Sequence, residues 1–215
     1  MRFARRELID LAIAWIALGF AFALFFDPQA GRIIRVGLAT GRPRTLVSPV
    51  IVDAFALSML TAGIGFLLHE LAHKIVAQRF GQIAHFRADY GMLFIAVASA
   101  FAGFLFAAPG AVYHRGRITE RQNGLIALAG PVTNLVLAAA FAPLALLSGG
   151  FLGDIGAFGV GINLLLAGFN MLPFGPLDGR KVLSWSVVVF VIAFVVSAGS
   201  AVFVLFRFGL GSLGL

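Results

Sequence analysis

Within one apolar stretch, His69, Glu70 and His73 form the pattern H-E-x-x-H. On a helix of 3.6 residues per turn, two residues four apart leave the same face one turn apart. Imidazoles so placed can bind one Zn2+, and Glu70, adjacent on the helix, falls within reach of a water at the metal. The same pattern also occurs on solvated, charged helix faces. Its setting argues otherwise here: residues 54–68 carry no charge, and a charged side chain near the centre of a membrane helix costs about 2.5–3.5 kcal/mol on insertion scales. Lys74 and Arg79 put the water boundary nearby. Ionisable groups at membrane depth are functional candidates by default.

Two histidines leave a catalytic zinc short of a third protein ligand. The chain has no cysteine, 4 histidines and 9 carboxylates, so the choice is narrow. His85 and His114 sit in polar, basic segments. Asp178 is the better candidate, because Pro176-Leu177-Asp178-Gly179 directly follows an apolar run and lies at another membrane boundary. Taken alone, Asp178 would be an ordinary turn aspartate, since Pro-x-Asp-Gly favours turns.

Three motifs occur in order over residues 69–179: His69-Glu70-Leu71-Ala72-His73, Ala129-Gly130-Pro131-Val132-Thr133-Asn134, and Asn170-Met171-Leu172-Pro173-Phe174-Gly175-Pro176-Leu177-Asp178-Gly179. Together they resemble the site-2 protease family of intramembrane zinc metalloproteases. The resemblance implies His69, His73 and Asp178 as ligands of one zinc ion and Glu70 as the catalytic acid/base. It also implies that Asn170 helps to hold substrate near the metal, whereas Asn134 reads better as an interhelical hydrogen bond. Arg180 departs from the small residue common after L-D-G and bears on local loop geometry only.

The elements that must carry these residues follow from composition. The 215 residues are 60% hydrophobic and 12% charged, with a mean hydropathy of +1.01. So apolar a chain is neither disordered nor a soluble globule. Apolar runs at residues 8–26, 50–77, 92–108, 124–147, 156–172 and 182–206 approach or exceed the roughly 20 residues that span a bilayer. The expectation is a mainly α membrane protein with five to six transmembrane helices, filling residues 1–215 as one domain with its core at 50–180 and no soluble accessory domain. The first run follows Arg2, Arg5 and Arg6 and contains Ala21-Phe22-Ala23, which resembles a signal-peptide cleavage site. Its length and Asp10 favour a retained helix. No internal repeat of the kind common in transporters is visible.

Sidedness follows from the ligands. If His69, His73 and Asp178 bind one ion, the ends of runs 50–77 and 156–172 reach the same side, and run 124–147 starts there. Residues near 80 and 120 then share a side, so segment 92–108 is expected to dip in and return as a membrane-dipping hairpin. The family resemblance adds β-strands in this region; a sixth crossing helix is the alternative. With the hairpin, eleven of the 16 Lys and Arg fall on the active-site side, which by the positive-inside rule faces the cytoplasm. The net charge of +7 is accordingly assigned to topology and anionic lipid, not to nucleic acid. The expected partners are the lipid bilayer and a transmembrane protein substrate, for a multi-pass protein of the cell membrane.

Overall fold

A computed structural model describes residues 3–42, 44, 47–106 and 109–212, with the side chains of 205 and 207–212 left out. Arg2 and residues 107 and 108 of the 92–108 run lie outside the described residues. The chain begins with α1 (Arg5–Phe26) and α2 (Pro28–Ala39), followed by α3 (Pro49–Ser58) and α4 (Ile64–Arg79). Strand β1 (Ile83–Ala88), α5 (Tyr90–Phe101) and β2 (Gly110–Arg115) come next. The long helices α6 (Glu120–Leu147) and α7 (Gly150–Asn170), the short α8 (Asp178–Trp185) and α9 (Val187–Ser212) complete it.

Five segments are long and apolar enough to cross a membrane: Arg5–Phe26, Pro49–Arg79, Glu120–Leu147, Gly150–Asn170 and Val187–Val204. The second is α3 and α4 joined through a π-helical turn, Met59–Gly63. That wider turn leaves the Met59 carbonyl accessible, and Trp15 Nε1 of α1 donates to it at 3.1 Å. Helix α9 presents Val187, Val188, Ile192 and Val195 outward, as a lipid-facing helix requires, because apolar side chains need no protein cover in hydrocarbon.

Two stretches differ from the sequence expectation, and local capping explains both. The polar connection after α1 holds a helix, because Asp27 accepts from Gln29 N and Ala30 N at 2.9 Å and Pro28 supplies the preset first position. The apolar run 182–206 is broken at Ser186, which is extended and whose Oγ accepts from Val189 N at 3.3 Å. It thereby ends α8 and starts α9.

Segment 92–108 returns. Helix α5 has 12 residues, about 18 Å at 1.5 Å per residue, against a hydrocarbon thickness of about 30 Å. On either side of it β1 and β2 pair antiparallel, from Ile83↔Arg115 to Ala88↔Gly110, and Asp89 N donates to Pro109 O at 3.0 Å. Both ends of the excursion are therefore tied at one place. The ribbon sits on a core shared by α1, α4 and α7, where Leu18, Phe22, Phe66, Phe86, Phe158 and Ile162 are buried together.

Candidate metal centre

His69 and His73 project from α4 as the spacing predicts, with ring centroids 4.6 Å apart. Asp178, the first residue of α8, brings Oδ2 to 3.2 Å from His69 Nε2 and 3.1 Å from His73 Nε2. All three residues are buried. Among the described residues they form the one group of three or more His, Cys, Asp or Glu able to share a metal ion, with their ligand atoms within 4.8 Å of one another.

The surroundings of each imidazole decide its tautomer. His69 Nδ1 faces Asn134 Oδ1 at 2.6 Å, and His73 Nδ1 faces the Ile126 carbonyl at 2.7 Å. The amide of Asn134 is oriented in turn, since its Nδ2 donates to Gly65 O at 3.2 Å and to Asn163 Oδ1 at 2.8 Å. Both Nδ1 atoms thus face acceptors and carry the protons, which leaves both Nε2 lone pairs aimed at a carboxylate oxygen. Two Nε2 lone pairs and a carboxylate oxygen so arranged can share one metal cation. Tetrahedral zinc with ligands at 2.0–2.2 Å would set donor atoms about 3.3–3.6 Å apart, and the two histidine–aspartate distances lie a few tenths of an ångström below that. The donor set fits zinc.

Local sequence explains the close approach. Helix α6 crosses α4 at Gly130, where a Cβ would overlap His69 Nε2 and the Cε1 atoms of both rings. Next to it, Pro131 has no N–H, so the Ala127 carbonyl has no helical donor and this turn of α6 opens. The neighbouring Ile126 carbonyl is the one that accepts from His73. Gly179 lets the start of α8 lie on the end of α7, because a Cβ there would overlap the carbonyl oxygens of Met171 and Leu172.

Glu70 lines a cavity of about 210 Å³ together with His69, His73, Asp178, Val112, His114, Asn170 and Lys181. Its Oε2 accepts from Val112 N of β2 at 3.1 Å. Asn170 is at the cavity wall, with its Nδ2 donating to Leu166 O of its own helix at 2.9 Å. Lys181 Nζ lies 3.6 Å from Asp178 Oδ1. His114 lines the cavity but is not in the triad, and burial and the Lys181 ammonium push its imidazole below the ordinary range. His85 is on the exposed side of β1, stacked on Tyr113. Asn134 does make an interhelical hydrogen bond, and its partner is the metal-facing His69. Sequence reading missed Asn163 and the Ile126 carbonyl. A buried asparagine in an apolar helix was a visible signal for the first, and a backbone carbonyl offers none.

Comparison with known proteins agrees with this geometry. No family model matches the chain, and no solved structure matches it. It is 41% identical over 189 residues to "Putative zinc metalloprotease MJ0611" of Methanocaldococcus jannaschii, covering 86% of this chain and 87% of that one. Over 185 residues it is 32% identical to YwhC of Bacillus subtilis, which carries the same descriptive name (67% and 82% covered). Rip3 of Mycobacterium tuberculosis, also so named, is 35% identical over 120 residues (54% and 27% covered). With three motifs in order, a zinc-fitting triad between apolar helices and a relative of that descriptive name matched over 86% of this chain, the chain belongs to the site-2 protease family of membrane zinc metalloproteases.

Proposed function

We propose that this protein is an intramembrane endopeptidase that hydrolyses peptide bonds in or near transmembrane segments of other membrane proteins, as in regulated intramembrane proteolysis. His69, His73 and Asp178 hold one Zn2+, Glu70 is the acid/base, and Asn170 contacts substrate. The observation that carries this reading is the triad and Glu70 lining one cavity, about 15 Å along α4 from Arg79 at 1.5 Å per residue, beside the outer edge of β2 that Glu70 contacts through Val112 N–H. We further propose that residues 50–180 are the core of a single membrane-embedded domain. The cavity opens nearer the cytoplasmic face of the cell membrane, which the charge asymmetry supports.

Bound zinc supplies a Lewis acid that polarises a carbonyl oxygen and lowers the pKa of a water it holds to about 7. The residues of the chain do the rest. The Nδ1 contacts to Asn134 and Ile126 keep both imidazoles oriented. Glu70 takes a proton from the attacking water as the C–O bond forms, and returns it to the leaving nitrogen as the C–N bond breaks. A substrate helix bonds its own carbonyls, so the scissile stretch must first unwind. The outer edge of β2 can receive the extended segment as an added strand once Val112 N–H exchanges Glu70 for a substrate carbonyl, and Asn170 lines the same cavity.

Glu70→Gln should keep zinc at one ion per chain and abolish cleavage of a transmembrane substrate in detergent. Cleavage at the normal rate by that variant, with metal bound, would sink the assignment. A transport reading would instead require ion flux into liposomes that Glu70→Gln removes.

A further inference from the structure

The N-terminal span carries two carboxylates that zinc chemistry does not use. Glu7 and Asp10 of α1 are both buried, at 3% and 2% exposure. Both Glu7 oxygens lie 2.6 Å from Lys74 Nζ, itself fully buried, and Oε1 also accepts from Phe86 N of β1 at 2.8 Å. Asp10 accepts from Ala88 N at 3.3 Å and from the Tyr90 hydroxyl at 2.6 Å. Phe86 and Ala88 are two apart, so their N–H groups lie along one edge of β1, turned away from β2. Helix α1 thus occupies the outer edge of β1 with side-chain acceptors where a third strand would supply carbonyls.

The far side of the same ribbon meets the site. Val112, paired with Phe86 in the register, directs its N–H outward to Glu70. Glu70 and Lys74 are four residues apart and share one stripe of α4. That stripe therefore holds the ribbon from both edges: Glu70 at β2, and Lys74 through Glu7 at β1. Both held edges refer to one rigid helix, so the height of the β2 edge above His69 and His73 is set by these contacts.

We propose that Glu7 and Asp10 are positioning residues for proteolysis, which hold the β1–β2 ribbon in the register that presents the outer edge of β2 to an unwound substrate segment. The inference rests on the proposed cleavage at that edge. It makes α1 part of the substrate-docking apparatus, and the buried Lys74–Glu7 pair its anchor.

The test uses the full chain in detergent, with zinc content, amide hydrogen exchange, and cleavage of a quenched fluorogenic peptide of roughly 20 apolar residues. Glu7→Leu with Lys74→Met removes the acceptor for Phe86 N–H without leaving a lone buried charge. Glu7→Gln with Lys74→Met also removes the ion pair but keeps an amide oxygen for Phe86 N–H. For the first variant, exchange at residues 83–88 and 110–115 should rise about tenfold or more, with zinc retained. KM should rise about tenfold while kcat changes less than about threefold. The Gln variant should recover most of both losses.

Unchanged ribbon exchange overturns the proposal, and so does faster ribbon exchange with an unchanged KM. Loss of zinc, or faster exchange throughout α4 and α6, assigns these residues to general stability and overturns it too. If the zinc-loaded wild type leaves the peptide intact, the proteolytic reading fails and docking at β2 fails with it. Faster ribbon exchange in the Leu variant would then show that the clamp on β1 exists apart from that reading.

Discussion

At the scale of single residues, the centre depends as much on groups that never touch metal as on those that do. Asn134 fixes His69, and such outer contacts are worth about 10–100-fold in metal affinity. Asn134→Ala should therefore weaken zinc binding by about that factor, measured by competition with a chromophoric chelator. Gly130→Ala should weaken it at least as much, because the added methyl group overlaps both imidazoles. If both variants bound zinc as tightly as the wild type, the crossing of α4 and α6 described here would be wrong. His69, Glu70 and His73 stood out because ionisable groups in an apolar segment are conspicuous, whereas Asp178 read as a turn aspartate until the family resemblance singled it out. Asn134 was legible as an interhelical hydrogen bond, but its partner, His69, was not.

At the scale of elements, α6 concentrates the supporting work. It presents Ile126, Gly130 and Asn134 to α4 from one continuous helix, opened by Pro131. The start of α6 is secured by a capping box, in which Thr119 Oγ1 accepts from Gln122 N at 3.2 Å and Gln122 Oε1 accepts from Thr119 N at 3.0 Å. Thr119→Ala should cost about 1 kcal/mol, read as a lower thermal midpoint in detergent. Zinc affinity should stay within about twofold, because fraying is confined to the first turn and Ile126 lies beyond it. A large loss of zinc would mean that the whole helix moves as a unit. The Asp27 and Ser186 caps show why element boundaries were harder to read than spans. A cap is one hydrogen bond from one polar residue, and its effect depends on the path of the following chain.

At the scale of the whole molecule, sidedness is the property that the ribbon decides. The antiparallel pairing of β1 and β2 returns the chain to the side it left, so the loops before β1 and before α6 share a face. The loop between α6 and α7 lies on the other. Absence of native cysteine makes this directly measurable. Single cysteines at Ile83 and Glu120 should react with a membrane-impermeant maleimide from one side, and a cysteine at Leu147 from the opposite side. Ile83 is 72% exposed and Leu147 is 85% exposed, so the protein itself covers neither position. Labelling of Ile83 and Glu120 from opposite sides would make segment 92–108 a crossing helix.

Composition and spacing were sufficient for the class, for an expectation of five to six spans and for the residue types that could bind a metal. Each follows from the energy of placing polar groups in hydrocarbon, or from helical periodicity, and both are local. The family resemblance implied that Asp178 meets two histidines more than a hundred residues away, and their shared side implied that segment 92–108 returns; the partners that orient the two rings and the β1–β2 register required the folded chain. So did the pairing of Glu7 with Lys74. In sequence those two are ordinary charges at the ends of apolar runs. Only when α1 packs against α4 and β1 do they become one buried contact, because the electrostatic value of a charge is set by its neighbours in space and by the water those neighbours exclude.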